Sequence, residues 1–353
     1  MSKFATERIN GIEPYVAGEQ PRDRRYIKLN TNENPYYTSP QAVERLKREV
    51  VSGLNRYSDP ESLELTCAIA DYYSCKKENV LVTNGSDEAL AFCFMAYCTQ
   101  GVCYPDVTYG FYSVIADLFN CSSEEIPLSD DLKVNPNDYL NAGKTVVLAN
   151  PNAQTGIEMT LPDIEKIILS NPNNIVIIDQ AYADFGKVNV IPLIKKYKNL
   201  IAVNTFSKSR SLAGARVGFV IADEAIIEDL KKVKNSFHPY NVNALSSALA
   251  SAAIKDDDYF KEAVLKVTEE RERVTKELKK LSFKAVDSSA NFVLAESTQI
   301  GGERLYSELK KRGVLVRRIP QPRIENFVRI TVGTKEENDG LLSAIRSILE
   351  EIK

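Results

Sequence analysis

Residues 174–179 have the sequence NIVIID, an apolar run that ends on an aspartate, and Gln180, Ala181 and Tyr182 follow it directly. Four consecutive β-branched residues favour a strand, and the lack of polar alternation predicts that both faces of this strand are buried. Such strands lie in sheets that helices cover on both sides. A carboxylate at the end of a buried strand loses hydration, so Asp179 needs either a cationic ligand or a structural partner.

Short apolar strands alternate with longer amphipathic helices through the first two thirds of the chain. Strands are predicted at Val80–Thr83, Val102–Tyr104, Thr145–Ala149, Ile175–Ile178, Leu200–Asn204 and Val217–Ala222. Helices are predicted at Glu61–Ser74, Ser86–Cys98, Phe111–Phe119, Pro162–Ser170 and Glu224–Asn235. This alternation indicates α/β architecture with a mostly parallel central sheet.

The order of elements changes in the last third of the chain. Helices are predicted at Val242–Ile254, Asp258–Leu281 and Glu303–Arg312 and from Lys335 onward, and strands at Asn291–Ala295, Val314–Val316 and Phe327–Val332. Strands that are interleaved with fewer, separate helices predict a smaller α+β domain.

Length and charge limit the possible partners. The 353 residues include 45 Lys and Arg against 48 Asp and Glu, which gives a formal net charge of -3. This balance lacks the basic character that nucleic-acid binding requires, so we expect no nucleic-acid partner. The longest apolar run, Ala89 to Cys98, is half the length that a membrane-spanning helix needs, so we expect no membrane partner.

The rare residue types narrow the chemistry further. His238 is the only histidine, which excludes zinc sites with two or three histidines, and no G-x-S-x-G turn is present for a serine hydrolase. No cysteine lies beyond Cys121 and no two are spaced as CxxC, which favours core packing over a metal or redox site. The first residues, MSKFATERINGIEPY, contain no apolar signal segment, and we expect a reduced, cytoplasmic protein.

Polar residues directly follow several predicted strands, and the carboxyl ends of parallel strands meet at one edge of a sheet. The segment NGSDE, residues 84–88, opens a helix whose free N–H groups form either an anion cradle or an ordinary N-cap. The turn TFSKSRSLAG, residues 205–214, carries Lys208, either as a shielded amine of lowered pKa or as a solvated turn lysine. Arg216 follows that turn.

Together these residues fit pyridoxal 5'-phosphate. This cofactor requires an amine for covalent attachment, an acid at the pyridine nitrogen, a donor at the phenolic oxygen and a phosphate site. Residues 205–214 resemble the lysine signature of class II aminotransferases. With the segments LNTNENPYYTSP, RYSDPES, NGSDEAL and VRITVGTKEEND, the chain resembles the histidinol-phosphate aminotransferase family from about residue 10 to its end.

The resemblance implies a fold and an activity. The fold would be the type I fold of pyridoxal-phosphate-dependent transferases, similar to aspartate aminotransferase, with an N-terminal arm at 1–27 that packs with the small domain. The large cofactor-binding domain would span 28–250 and the small C-terminal domain 251–353. The activity would be ping-pong transamination of L-histidinol phosphate with 2-oxoglutarate, giving imidazole acetol phosphate and L-glutamate in histidine biosynthesis.

The resemblance also implies a role for each cofactor-binding residue. Lys208 would carry the cofactor and move the substrate proton, and Asp179 would keep the pyridine nitrogen protonated. Tyr182 and Asn152 would hydrogen-bond the phenolic oxygen, and Tyr109 would stack on the ring. The residues implied to hold the phosphate are Gly85, Ser86, Asp87, Ser207 and Arg216.

The remaining implied roles concern the partner subunit and the substrate. Tyr57 would reach the phosphate of the neighbouring subunit, so that the site is complete only in a homodimer. Arg329 would bind the carboxylate of glutamate through a planar bidentate contact. Arg317 and Tyr15 are candidates for the substrate phosphate or the distal carboxylate, although Arg317 could equally be a surface ion pair. Arg318 or Arg323 could replace Arg317.

Two residues depart from the family pattern. Gln180 stands where an acidic residue usually follows the pyridine aspartate, and Gln154 replaces the proline of the PN-x-PTG turn. We expect Gln154 to loosen that turn and to leave Asn152 less firmly held. Three alternatives therefore stay open: an aromatic or broad-specificity aminotransferase, a decarboxylase related to threonine phosphate decarboxylation, and a cofactor-binding regulator without turnover.

Overall fold

The structure, a computed structural model, describes residues 11–48 and 51–352. The first ten residues of the predicted N-terminal arm lie outside the described residues. The strands are β1 Ile27–Lys28, β2 Val80–Thr83, β3 Val102–Pro105, β4 Ser123–Ile126, β5 Thr145–Ala149, β6 Val176–Asp179, β7 Leu200–Thr205, β8 Gly218–Ala222, β9 Phe283–Ala285, β10 Phe292–Ser297, β11 Val314–Leu315, β12 Arg317–Arg318 and β13 Phe327–Thr331. The helices are α1 Pro40–Arg48, α2 Leu63–Tyr73, α3 Ser86–Tyr97, α4 Phe111–Phe119, α5 Leu161–Ser170, α6 Glu224–Phe237, α7 Ala244–Lys255, α8 Asp257–Lys280, α9 Gly302–Lys311 and α10 Lys335–Glu351.

Seven strands form the central sheet in the order β2-β8-β7-β6-β5-β3-β4. Strand β8 pairs antiparallel with both neighbours, and the other pairs are parallel, so the sheet is mostly parallel as predicted. Every residue of β5, β6 and β7 is buried, because helices pack on both faces. The prediction from the apolar run at 174–179 is thereby confirmed for β6.

Two details of this sheet differ from the sequence-based expectation. Strand β4 was not predicted, because Ser123–Ile126 lies at an edge of the sheet and its residues are mostly exposed, which leaves no apolar signal. Strand β6 ends one residue later than expected, so Asp179 is itself the last residue of the strand and pairs in register with Val203.

The last third of the chain forms a second sheet with its own core. Strands β12, β13, β10 and β9 pair antiparallel in that order, and α8 and α9 pack against them. Helix α10 packs against these two helices and against β1 and β11. The predicted strand at Val314–Val316 corresponds to β11, which pairs with β1 in a separate two-stranded sheet. Strand β12 lies just beyond the predicted strand and belongs to the second sheet. The division of the chain at residues 27 and 250 stays a prediction.

The register of the central sheet sets the place of the site. Thr83 and Thr205 both pair with Gly218, and Asp179 pairs with Ala149, so these four strand ends lie along one edge. The turns that follow them therefore meet above that edge, as expected for an α/β sheet. None of the described helices is both long enough and apolar enough to cross a membrane.

Candidate active site

A cavity of about 330 Å³ opens above this edge of the central sheet and extends to the second sheet. Its volume lies within the range of small-molecule sites. Most of the predicted site residues line it. Those residues are Tyr15, Ser86, Asp87, Tyr109, Asp179, Tyr182, Ser207, Lys208, Arg216, Arg317 and Arg329. Of the residues first assigned to the cofactor and the substrate, only Gly85, Asn152 and Tyr57 do not line it.

Asp179 is the buried acid of the cavity. Its Oδ2 accepts a hydrogen bond from the Tyr112 hydroxyl at 2.8 Å, and its Oδ1 accepts one from the Ala181 N–H at 3.0 Å. Burial raises the pKa of Asp179 to about 6, while these two hydrogen bonds and the charge of Lys208 act in the opposite direction. A carboxylate of this kind gains stability from a cationic ligand that faces it.

Lys208 presents its amine to the same cavity. Its Nζ donates to the Thr31 carbonyl at 3.3 Å and lies 5.7 Å from the centre of the Tyr182 ring. Asn34 fixes the backbone at this point by donating to the Lys208 carbonyl at 3.1 Å. Because Lys208 is partly buried and lines the cavity, the structure favours a shielded amine over the solvated turn lysine.

Tyr182 is oriented by Asn32. The Asn32 Nδ2 donates to the Tyr182 hydroxyl oxygen at 3.0 Å, and Asn32 Oδ1 in turn accepts from the Thr331 hydroxyl at 3.0 Å. Since the hydroxyl oxygen already accepts one hydrogen bond, the O–H hydrogen of Tyr182 is left to donate into the cavity.

The start of helix α3 forms the anion cradle. Gly85 has φ +83°, and a Cβ there would lie 2.6 Å from Arg216 Nη2. A Cβ on Gly218 would lie 2.5 Å from the backbone of Gly85 and Ser86. Both positions therefore need glycine, because the backbone and Arg216 approach each other closely. This close approach places the N–H groups at the start of α3 beside the guanidinium of Arg216.

Charged and hydroxyl side chains complete the cradle. Arg216 Nη2 pairs with Asp87 Oδ2 at 3.1 Å, and its Nη1 lies 3.5 Å from the Ser207 hydroxyl. The Tyr109 hydroxyl donates to Asp87 Oδ1 at 2.9 Å, and the Thr205 hydroxyl donates to Ser207 Oγ at 2.9 Å. Arg216 and Ser207 thus supply donors for an anion, and Tyr109 is held at the cavity wall by its hydrogen bond to Asp87.

Arg329 is a partly buried cation at the wall that the second sheet provides. Its Nη1 donates to the Ala153 carbonyl at 3.0 Å and to Gln154 Oε1 at 2.8 Å, whereas its Nε is buried without a hydrogen-bond partner. No carboxylate among the described residues lies within ion-pair distance of it. Burial lowers the pKa of Arg329. A desolvated cation without a counter-ion is costly, so the site is suited to an anionic ligand.

Arg317 holds the described part of the N-terminal arm over the cavity. It donates to the carbonyls of Val16 at 2.9 Å and Ala17 at 3.2 Å. It forms no ion pair with any described residue, so the surface ion pair considered for it is not present. The ring of Tyr15 packs edge-on against Tyr109 with centroids 5.8 Å apart, and burial raises the pKa of Tyr15.

The neighbouring arginines are engaged elsewhere. Arg318 donates to the Glu325 carbonyl at 3.3 Å. Arg323 pairs with Asp106 at 2.9 Å and donates to the Ser129 carbonyl at 2.9 Å. Neither lines the cavity, so the suggestion that they could replace Arg317 is wrong for this structure.

Asn152 lies behind the cavity wall. One of its two amide hydrogens is used by the Val107 carbonyl at 2.9 Å. Its Oδ1 accepts from the N–H groups of Gln154 at 2.9 Å and Thr155 at 3.0 Å. The expectation that Gln154 loosens this turn is therefore wrong, because its N–H, which a proline lacks, adds a hydrogen bond to Asn152. A direct contact between Asn152 and the cofactor stays a prediction.

Tyr57 lies outside the cavity. Its side chain is 83% exposed and stacks on Tyr240 with ring centroids 4.5 Å apart. Gln180, the other departure from the family pattern, is buried beside Val188, to whose carbonyl its amide donates at 3.5 Å. It does not line the cavity, so its substitution leaves the site's donor set unchanged.

Sequence reasoning missed several residues that orient the site. Tyr112, Asn32 and Thr31 each contact a predicted site residue directly. Asn32 and Thr31 belong to the segment LNTNENP, which supported the resemblance, but no spacing rule links them to Tyr182 or Lys208. Tyr112 lies 67 positions from Asp179, and only the folded sheet brings the two together.

The residues present fit pyridoxal 5'-phosphate. The cavity offers a free amine at Lys208, a desolvated acid at Asp179 and an O–H donor at Tyr182. At the cradle, a Cβ at position 85 would lie too close to Arg216, so the space beside Gly85 stays free of side chains and is lined by hydrogen-bond donors. These are the groups that the cofactor's aldehyde, pyridine nitrogen, phenolic oxygen and phosphate require.

Known proteins are similar to this chain in sequence and in fold. The sequence profile of the aminotransferase class I and II family matches residues 24–345. A histidinol-phosphate aminotransferase from Brachyspira hyodysenteriae is 46% identical over 353 residues, which cover 99% of this chain and 100% of that protein.

Two solved structures support the predicted fold class. The histidinol-phosphate aminotransferase from Sinorhizobium meliloti, solved in complex with pyridoxal-5'-phosphate, superposes with a TM-score of 0.89 at 21% identity and covers 100% of this chain and 99% of its own. The aspartate aminotransferase from Thermotoga maritima superposes with a TM-score of 0.83 at 21% identity, covering 98% of this chain and 100% of its own. The type I, aspartate aminotransferase-like fold is thus confirmed. The chain belongs to the aminotransferase class I and II family.

Proposed function

We propose that this pyridoxal-phosphate-dependent aminotransferase transfers the amino group of L-histidinol phosphate to 2-oxoglutarate in histidine biosynthesis, giving imidazole acetol phosphate and L-glutamate. The observation that carries the proposal is the single cavity in which Lys208, Asp179 and the unpaired Arg329 meet. A full-length relative of the same named activity at 46% identity supports the choice of substrate.

The chain's own residues account for binding of the cofactor. Arg216, Ser207 and the N–H groups at the start of α3 bind the phosphate, and Tyr109 covers the ring. Asp179 holds a proton at the pyridine nitrogen, because its buried carboxylate is stabilised by the charge of that N–H. Tyr182 donates its hydroxyl hydrogen to the phenolic oxygen of the cofactor, since the Tyr182 oxygen already accepts a hydrogen bond from Asn32.

Pyridoxal 5'-phosphate, when bound, supplies the aldehyde that takes up the amino group and a ring that delocalises the electron pair left at the substrate α-carbon. Lys208, once its amine is free, would take the proton from the substrate α-carbon and deliver it to the C4' carbon of the cofactor. Arg329 binds the carboxylate of glutamate or 2-oxoglutarate and so orients the α-carbon towards Lys208. Tyr15 and Tyr109 line the cavity beside the proposed place of the reacting atoms.

We propose further that Arg317 and Tyr15 contact the phosphate of histidinol phosphate and the distal carboxylate of 2-oxoglutarate. Both line the cavity, and Arg317 donates hydrogen bonds only to backbone carbonyls among the described residues, so no carboxylate is paired with it to give its charge close compensation. An anionic group at the far end of either substrate would supply that compensation.

The complete site is proposed to form in a homodimer. Tyr57 is 83% exposed and does not line its own cavity, although the family resemblance assigns it to a phosphate site. Tyr240, which stacks on Tyr57, is 41% exposed, and a second subunit would bury this pair of exposed rings. We also propose a cytoplasmic location, in keeping with cysteine spacings that favour core packing over a disulfide framework.

Half-reactions with single substrates test the function. The purified protein should be yellow with bound cofactor, and histidinol phosphate should discharge that colour faster than phenylalanine does, because only the former has an anion for Arg317. Lys208→Ala should lose both the absorbance and turnover. Faster conversion with phenylalanine would indicate an aromatic aminotransferase, release of carbon dioxide from threonine phosphate a decarboxylase, and binding without conversion of any substrate a regulator.

A further inference from the structure

The residue at position 154 contacts the substrate arginine. Gln154 stands where the family pattern has a proline, and it lines the cavity. Its Oε1 accepts a hydrogen bond from Arg329 Nη1 at 2.8 Å. A proline offers no side-chain acceptor, so this contact is a consequence of the departure itself.

This contact and one neighbour use all the hydrogens of one guanidinium nitrogen. Arg329 Nη1 carries two hydrogens, one donated to Gln154 Oε1 and the other to the Ala153 carbonyl at 3.0 Å. The hydrogen bonds from Arg329 to described residues all leave from Nη1, and its Nε is buried without a partner. The guanidinium carbon lies 5.2 Å from the centre of the Phe292 ring, which supports one face of the group.

The edge that remains is the one that binds a carboxylate well. A guanidinium binds carboxylate most strongly through two parallel N–H bonds, and Nε with Nη2 forms such an edge. Gln154 and Ala153 fix the orientation of that edge by holding Nη1. Because the amide of Gln154 is neutral, it fixes the guanidinium without cancelling its charge.

We propose that Gln154 is a positioning residue that directs the Nε–Nη2 edge of Arg329 towards the α-carboxylate of the amino-acid and 2-oxo-acid substrates. The proposal rests on the proposed function, since it names the residue that prepares the carboxylate site. Gln154 acts through Arg329 and need not touch the reacting atoms.

Binding of glutarate to the cofactor-loaded enzyme tests this role. Glutarate has the two carboxylates of 2-oxoglutarate but lacks the keto group that accepts the amine, so calorimetry measures its affinity without turnover. Gln154→Met keeps the chain length and removes the acceptor, and we expect glutarate to bind about tenfold more weakly, which corresponds to about 1.4 kcal/mol. The KM for 2-oxoglutarate should rise by the same factor while the cofactor absorbance and the Tm stay unchanged.

Two further variants separate positioning from general damage. Gln154→Glu keeps the acceptor but neutralises Arg329, so it should weaken glutarate binding more than Gln154→Met does. Gln299→Met is the matched control, because Gln299 is exposed and outside the cavity, and it should bind glutarate as the unmodified enzyme does.

Three results would overturn the positioning role. They are glutarate affinity of Gln154→Met within twofold of the unmodified enzyme, unchanged affinity of Gln154→Glu, and an altered cofactor absorbance in Gln154→Met. Failure of the proposed function looks different, because the unmodified enzyme would then not exchange its amino group with glutamate at all.

Discussion

Burial, more than pairing with an opposite charge, sets the pKa of Asp179. Asp179 is 4% exposed, and burial raises its pKa from 3.8 to about 6 in the cofactor-free protein. A carboxyl group with a raised folded pKa stabilises the fold fully only below its unfolded pKa. That stability is lost as the pH rises through the folded pKa, because the unfolded chain ionises the group more readily.

The cofactor-free protein should therefore lose stability relative to Asp179→Asn between pH 4 and pH 7. A shift of about two units corresponds to roughly 3 kcal/mol at 1.36 kcal/mol per unit. Urea unfolding of both cofactor-free proteins across this range measures it, and subtracting one curve from the other cancels the other titrating groups. Curves that stay parallel would contradict a raised pKa. With cofactor bound the loss should shrink, because the pyridine N–H compensates the carboxylate.

At the scale of the element, the anion cradle depends on how closely β8 approaches the start of α3. A Cβ on Gly218 would meet the backbone of Gly85 and Ser86 at 2.5 Å, and backbone atoms cannot move aside as a flexible side chain can. The cradle is thus set by the fit of a strand against a helix terminus, which a helix N-terminus alone would not provide.

Gly218→Ala should weaken binding of pyridoxal 5'-phosphate at least tenfold and lower the free energy of unfolding by about 1–3 kcal/mol, as overpacking does. Gly214→Ala is the matched control, since a Cβ there meets nothing within 4 Å. Cofactor titration followed by absorbance, with urea unfolding beside it, measures both effects. Equal behaviour of the two variants would show that close approach is not what shapes the cradle.

At the scale of the whole molecule, we propose that the site is completed by a second subunit. Tyr57 is exposed, stacks on Tyr240 and is absent from its own cavity. If it completes the partner's phosphate site, a dimer of one Lys208→Ala subunit and one Tyr57→Phe subunit has one fully competent cavity. That cavity combines Lys208 from the second subunit with Tyr57 from the first.

The mixed dimer should bind pyridoxal 5'-phosphate at its single Lys208 with the affinity of the unmodified enzyme. The Tyr57→Phe homodimer should bind it about tenfold more weakly, as expected for loss of a hydrogen bond to a charged phosphate. Differently tagged subunits, refolded together and separated, allow the titration. If the mixed dimer is as weak as the Tyr57→Phe homodimer, Tyr57 acts within its own subunit or not at all.

The sequence alone determined the parts of this protein that depend on local patterns. The apolar run at 174–179 predicted a strand that is buried on both faces. The positions of Lys208, Asp179 and Arg216 after predicted strands indicated that their side chains belong to one site, because the carboxyl ends of parallel strands meet at one edge. The edge strand β4 escaped prediction, because its exposed residues carry no apolar period.

Only the tertiary structure decided which groups hold those residues in place. Tyr112 is 67 positions from Asp179, and Gln154 is 175 positions from Arg329, so no local pattern connects either pair. The effect of Gln154 was also not readable from the sequence. Its replacement of a proline suggested a looser turn, but its N–H and its side chain both form hydrogen bonds in the folded chain. Hydrogen bonds between distant segments depend on sheet register and on how the two sheets pack, and periodicity within one segment does not encode that packing.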